Sequence, residues 1–182
     1  MKTDNRGVSL VEVLVVIGIM AILASLTASA AGYLTRGNVK KASKTVYSML
    51  VASRTDSMAK SGTWVLTFSQ NPEGRFQLES SVTDLVLSGG TTYSGSDEKQ
   101  MLEKNITGLS VAGVAVDAST PIAIEFAKNT GAVSRIYVVG GSDIKATTDL
   151  AGYADVVITA YGNTFTNRLY YLTGDVEQNP TD

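Results

Sequence analysis

The chain has no cysteine and no histidine, and only one tryptophan and three prolines among its 182 residues. Without cysteine there is no disulfide framework and no thiol nucleophile, so the fold must rest on packing. Without histidine the commonest general base is gone, and the two absences together remove most zinc-binding ligand sets. An enzyme would have to work through carboxylates, lysine or serine, and no paired motif for these occurs. We therefore expect no enzymatic activity, no catalytic residue, no metal site and no cofactor. Charge is also sparse, at 18 % of residues, and nearly missing from one stretch close to the amino terminus.

That stretch is what the chain has in place of chemistry. Residues 13–33, VLVVIGIMAILASLTASAAGY, carry no charge at all. As a helix rising ~1.5 Å per residue, such a run is long enough to cross a ~30 Å hydrocarbon core. Glu12 stands at its start, preceded by the apolar residues that begin at Val8. A carboxylate at mid-bilayer costs roughly 2.5 to 3.5 kcal/mol on insertion scales, and less near the interface, so Glu12 asks for a nearby positive partner. A plainer role is capping. Ser9 and Glu12 have capping-box spacing, and an acid near a helix start favours the positive end of the dipole. Capping leaves the Gly7 boundary and the long uncharged run without a reason.

The leader MKTDNRG sets Lys2 and Arg6 against Asp4, a weak positive bias for the cytoplasmic side. Two cleavage readings compete. A secretory signal peptide would be cut after Ala28-Ser29-Ala30, but its apolar region would be unusually long, contain Glu12 and run on into a helix. The alternative is a cut between Gly7 and Val8, which leaves the apolar segment on the mature protein.

The run Gly7-Val8-Ser9-Leu10-Val11-Glu12-Val13-Leu14-Val15-Val16-Ile17 resembles the type IV prepilin signature of type IV pilins and type II secretion pseudopilins. The resemblance implies removal of residues 1–7 by prepilin peptidase at the cytoplasmic face, and N-methylation of the new terminus at Val8. It also implies that Glu12 meets the amino terminus of a neighbouring subunit during assembly, which is the cation the charge argument asks for. Val8 replaces the commoner Phe or Met. Ser29 stands where many major pilins carry a helix-kinking proline, which weakens a major-pilin reading. The missing cysteines also exclude the disulfide-closed carboxyl-terminal loop of many Gram-negative pilins.

After the apolar run, Val39, Ala42, Val46, Met49, Leu50 and Ser53 recur at spacings of three and four, the pattern of an amphipathic helix. Gly32 and Gly37 are places where the helix would bend or fray, and Ser61-Gly62 suits its end. A helix over residues 8–61 would be roughly 80 Å long. Its first half is membrane or filament core and its second half packs on a head. Beyond Gly62 the period changes to two. Residues 64–68 and 75–79 read as a hairpin around Gln70-Asn71-Pro72-Glu73-Gly74. Further strands are expected at 82–87, 108–116, 121–127, 132–139, 155–160 and 164–172. Asn129-Thr130-Gly131 and Tyr161-Gly162-Asn163 mark two later hairpin turns. Residues 88–99 and 140–152 read as loops.

Charge is uneven along the chain. Residues 36–60 hold Arg36, Lys40, Lys41, Lys44, Arg54 and Lys60 against Asp56, whereas residues 61–182 hold seven basic and fourteen acidic side chains. A basic helix beside an apolar span suits anionic lipid headgroups or nucleic acid. A solvated helix face that meets acidic surfaces of neighbouring subunits is the simpler reading. The acidic head argues against a general nucleic-acid role.

The head is similar to one branch of the family, the GspH/FimT-like minor pseudopilins and minor pilins, in three segments. These are the helix end Ala52-Ser53-Arg54-Thr55-Asp56-Ser57-Met58-Ala59-Lys60-Ser61-Gly62, the strand and turn Ile124-Glu125-Phe126 with Gly131, and Leu172-Thr173-Gly174-Asp175-Val176. Asp175 stands where the branch usually has Arg, so the DNA capture of members with a basic tail does not carry over. Two other patterns are set aside. Asp175-Val176-Glu177-Gln178-Asn179-Pro180 is similar to the core of ribosome-skipping peptides but lacks their Gly-Pro ending, and reads as coincidence in a mobile tail. Ser88-Gly89-Gly90 with Gly95 lacks the Lys-Ser/Thr of a phosphate loop.

The expected architecture is α+β, a long helix on an antiparallel β-sheet head. It divides into a leader (1–7), a transmembrane or filament-core helix (8–35), its amphipathic continuation (36–61) and a β-rich head (62–182). The expected role is a structural, minor subunit of a type IV pilus, type II secretion pseudopilus or competence filament. Its expected partners are prepilin peptidase, other pilin subunits and membrane lipid before assembly. It would sit in the cytoplasmic membrane with the head outside, then in the filament. A pilus-borne module binding an exported substrate, a surface or DNA is the alternative.

Overall fold

A computed structural model describes residues 10–86, 90–145 and 152–179, without the side chains of 26–35, 86 and 145. One helix, α1 (Leu10–Ala59), is followed by eleven strands. It runs as a single α-helix through Gly32 and Gly37. Its last turn is closed by the Lys60 N–H donating to the Asp56 carbonyl at 2.8 Å. The Lys60 ammonium also pairs with the Asp56 carboxylate at 3.0 Å and sits 4.9 Å from the centre of the Trp64 ring. A lysine there is favoured by the negative end of the helix dipole. The chain then turns at Gly62, whose φ of +115° and close approach to Val82 and the Thr83 carbonyl leave no room for a side chain.

The strands are β1 (Thr63–Gln70), β2 (Phe76–Val86), β3 (Thr92–Met101), β4 (Gly108–Val111), β5 (Val114–Ala115), β6 (Ile122–Phe126), β7 (Val133–Val138), β8 (Asp143–Lys145), β9 (Tyr153–Ala160), β10 (Asn163–Tyr170) and β11 (Val176–Gln178). They form two antiparallel sheets where one was expected. The larger runs β3-β2-β1-β6-β7-β8 and the smaller β11-β10-β9-β4-β5. A single open sheet of eleven strands would be at the limit of what twist allows, whereas two sheets can cover the same helix.

The first hairpin forms as expected, with the Asn71 side-chain oxygen accepting from the N–H groups of Glu73 and Arg75. The strands expected at 75–79 and 82–87 are one strand, β2, because Ser80 and Ser81 interrupt the apolar pattern without interrupting the backbone ladder. The segment 88–99 is corrected more deeply: residues 92–101 are strand β3, while 87–89 lie outside the described residues. Its side chains are nearly all exposed, so an edge strand held by backbone bonds to β2 shows no alternation to read. Gly95, inside that expected loop, pairs with Val82 in the ladder. Residues 108–116 divide into β4 and β5 around Ala112 and Gly113, both at positive φ, as a tight hairpin demands. The expected loop 140–152 contains β8, and 146–151 lie outside the described residues. The tail is ordered into a strand: β11 pairs with β10, and the Asn179 N–H donates to the Thr166 carbonyl at 2.7 Å.

Val39, Ala42, Val46, Met49 and Leu50 are buried, as their spacing predicts, and share one core with residues of both sheets. Leu66, Phe68 and Ile124 enter it from the larger sheet, and Val156, Ile158 and Leu169 from the smaller. Two buried polar contacts fix the helix in place. The Ser43 hydroxyl donates to the Asn167 side-chain oxygen, and the Asn167 amide donates back to the Ser43 carbonyl, both at 3.2 Å. The hydroxyls of Ser53 and Ser80 meet at 3.2 Å. One contact joins α1 to each sheet.

Before β6, one oxygen of Asp117 accepts from the hydroxyls of Thr120 and Ser119 and from their N–H groups, at 2.7 to 2.8 Å. These bonds, Thr120's hydroxyl foremost, hold its carboxyl down at about 2.

Asn167→Ala strips both bonds from a buried serine and should lower stability by about 1 to 3 kcal/mol, read as a shift in the urea-unfolding midpoint. Ser53→Ala removes one neutral contact and should cost about 1 kcal/mol.

Candidate functional site

Helix α1 presents two different surfaces. Over its first part, large apolar side chains stand in the open, among them Leu10, Leu14, Ile17 and Met20 at 60 to 80 % exposure: 80 %, 66 %, 61 % and 66 %. Glu12 is exposed in the first described turn and borders a shallow hollow with Val13, Val16 and Ile17. The structure therefore places a lone carboxylate on an apolar rod with no ion-pair partner among the described residues. Gly7 and Val8, the expected processing and methylation sites, lie outside the described residues, as does Ser9. Among the described residues no helix is long and apolar enough to cross a membrane. The apolar side chains described cover 10–25, and the continuation to 35 that a span requires lies where no side chains are described.

The second surface begins at Arg36. Lys41 pairs with Glu103 at 2.6 Å and Arg54 with Asp175 at 2.7 Å, so the basic helix face is partly neutralised within the chain. Arg36, Lys40 and Lys44 have no ion pair among the described residues.

The three head segments singled out from the sequence converge at the carboxyl end of α1. The Asn129 N–H donates to the Ser57 carbonyl at 3.0 Å, which docks the β6–β7 turn on the last helical turn. Gly131, at φ +69°, lies against Arg54 and Met58, where a β-carbon would crowd both side chains. Gly174, at φ +67°, lies against Gly131: a β-carbon there would overlap the Gly131 carbonyl oxygen. The Val133 N–H donates to the Tyr171 carbonyl at 2.8 Å and carries one sheet across to the other. The Arg54–Asp175 pair closes this junction from the side, with the Arg54 Nε buried and unbonded among the described residues. Each segment was visible in the sequence, and their meeting was not. Ser43, Asn167 and Ser80, which position the helix, were missed, because a polar residue inside an apolar pattern carries no mark of its partner.

Residues 2–28 match the family model described as the prokaryotic N-terminal methylation motif. The amino terminus is thus similar to those that carry this methylation motif. The matched segment includes Gly7, Val8, Glu12 and the start of α1. Behind it lies the α+β arrangement, an amino-terminal helix packed on antiparallel sheets. The chain is also similar to the crystal structure of the type IV minor pilin FimU from Pseudomonas aeruginosa strain PAO1. The identity is 13 % and the TM-score 0.48, covering 81 % of this chain and 92 % of that one. No curated protein matches the chain at a significant level.

Gly174→Ala should destabilise the fold by about 2 to 4 kcal/mol, through both the left-handed backbone and the overlap with Gly131. Asp175→Ala removes a surface-facing ion pair and should cost no more than about 1 kcal/mol. Thermal unfolding of the two variants side by side checks the order.

Proposed function

We propose that this protein is a structural subunit of a type IV pilus or type II secretion pseudopilus, and within it a minor subunit. The observation that carries the reading is the methylation motif over residues 2–28, joined without a break to a helix that leaves its first part apolar and uncovered. In this reading prepilin peptidase cuts between Gly7 and Val8 at the cytoplasmic face, and Val8 becomes the methylated terminus. The apolar part of α1 anchors the subunit in the cytoplasmic membrane with the head outside.

Assembly then exchanges lipid for the apolar helices of other subunits. Both environments are dry, so the helix need not pass through water, and packing rather than the hydrophobic effect distinguishes them. Glu12 supplies direction. A carboxylate in an apolar bundle is costly until a cation meets it, and the Val8 amine of a neighbouring subunit is such a cation. Because one charge meets one terminus, the pairing sets the axial register between subunits. Ser29 in place of a proline, and the three head segments, support the minor-subunit part of the reading.

Mass spectrometry of the mature protein should show a start at Val8, carrying a methyl group; a start at Ala31 would sink the proposal. A Glu12→Ala variant should be processed normally yet enter filaments poorly, as read by the fraction of subunit sheared from cells. Full incorporation of that variant would show the pairing to be dispensable.

A further inference from the structure

The cations of α1 divide by partner. Lys41, Arg54 and Lys60 are paired within the chain, while Arg36, Lys40 and Lys44 form no ion pair among the described residues. Their spacing of four sets them in one stripe along the helix. Arg36 and Lys40, with Gly37 between them, line a cleft of about 470 Å³ whose other wall is Phe165 and Asn179. Phe165 is half-buried against the core, so that wall is fixed. Asn179 is held by its N–H donating to the Thr166 carbonyl and its side-chain oxygen accepting from the Thr166 N–H, which leaves its amide N–H₂ without an acceptor among the described residues. The lining thus offers a guanidinium, an ammonium, an amide and a phenyl ring, and no carboxylate. It is built for an anion with an apolar part.

The position of the cleft narrows the anion. Arg36 is the first charged residue after Glu12, so it stands where the apolar run ends. Lys40 lies about 6 Å further along the helix, and a headgroup layer is roughly 5 to 7 Å deep. We propose that the Arg36–Lys40 cleft binds the phosphate headgroup of an anionic phospholipid on the outer face of the membrane, and so holds the subunit at a fixed depth before assembly. This rests on the membrane-anchored prepilin reading.

The charge distribution favours the same occupant. Membrane chains keep their excess of Lys and Arg on the cytoplasmic side of a span. Here the leader has Lys2 and Arg6 against Asp4, while the outer flank has Arg36, Lys40, Lys41 and Lys44 with no acid before Asp56. Cations kept against the orientation rule are accounted for by a use on that side. The acidic head would be repelled by an anionic membrane surface, and a basic collar between the two offsets that repulsion. An acidic side chain of a second copy would satisfy the cations but make no use of the Phe165 wall.

The test is native mass spectrometry of the full-length protein in detergent, titrated with phosphatidylglycerol and phosphatidylcholine of matched acyl chains. The wild type should retain phosphatidylglycerol preferentially. The double variant Arg36→Gln/Lys40→Gln should lose that preference by roughly tenfold or more, and Lys99→Gln, on the exposed strand β3, should keep it. Equal retention of the two lipids by the wild type, or an unchanged preference in the double variant, would overturn the proposal. So would displacement of the lipid by millimolar inorganic phosphate, which would mark a free-anion site. Loss of self-association in the double variant with lipid preference intact would assign the cleft to a second copy instead. The intact mass of the same sample separates the two readings: a start at Val8 with no lipid preference removes the cleft proposal alone, and a start at Ala31 removes the anchor and both readings with it.

Discussion

The buried stripe of α1 is the constraint on which the head depends. The two sheets share no strand, and each has an inner face that must be covered. Val39, Val46, Met49 and Leu50 lie in one core with residues of both sheets, so a single buried helix face serves the two while its other face stays exposed. Apolar contact alone would let a smooth helix slide or rotate by a turn. Ser43 with Asn167 and Ser53 with Ser80 prevent this, because any slip would leave buried hydrogen-bonding groups unpaired at both sheets. Position is thus fixed by two small polar contacts, while the energy comes from the apolar surface around them.

At the carboxyl end of the helix the same problem is met with backbone. Gly131 and Gly174 let two turns from different sheets approach until main chain meets main chain, and Arg54 reaches past them to Asp175. A chain without cysteine has no covalent means of holding its last turn against the body of the head. Here close packing at two glycines, one ion pair and the ladder of β11 hold it instead.

The legible parts of this chain were those whose cause is local. The helix stripe follows from spacings of three and four, and the hairpins at 70–74 and 161–163 from turn residues that permit their geometry. Glu12 stood out because a charge among apolar residues is improbable wherever it occurs. Strand β3 was missed because an edge strand exposed on both faces has no apolar alternation, and β11 because three residues are too few to show a period. The division into two sheets was hidden for another reason. It depends on β1 pairing with β6, and β4 with β9, across long stretches of chain. For Glu12, the residue was legible, while its partner, which the proposed function places on another subunit, is not among the described residues of this chain.

Ser43 and Asn167 stand 124 residues apart in sequence. The helix is made first, yet the pair that seats it is completed only when β10 has arrived. The larger sheet, encoded before β10, can already cover its side of the stripe, but Ser43 stays unanswered until β10 has been made. A contact of such separation closes a long loop, whose entropy cost rises slowly with length. The order along the chain is therefore part of the molecule: its helix precedes every strand, and the last hairpin, β9 and β10, supplies the partner that seats it.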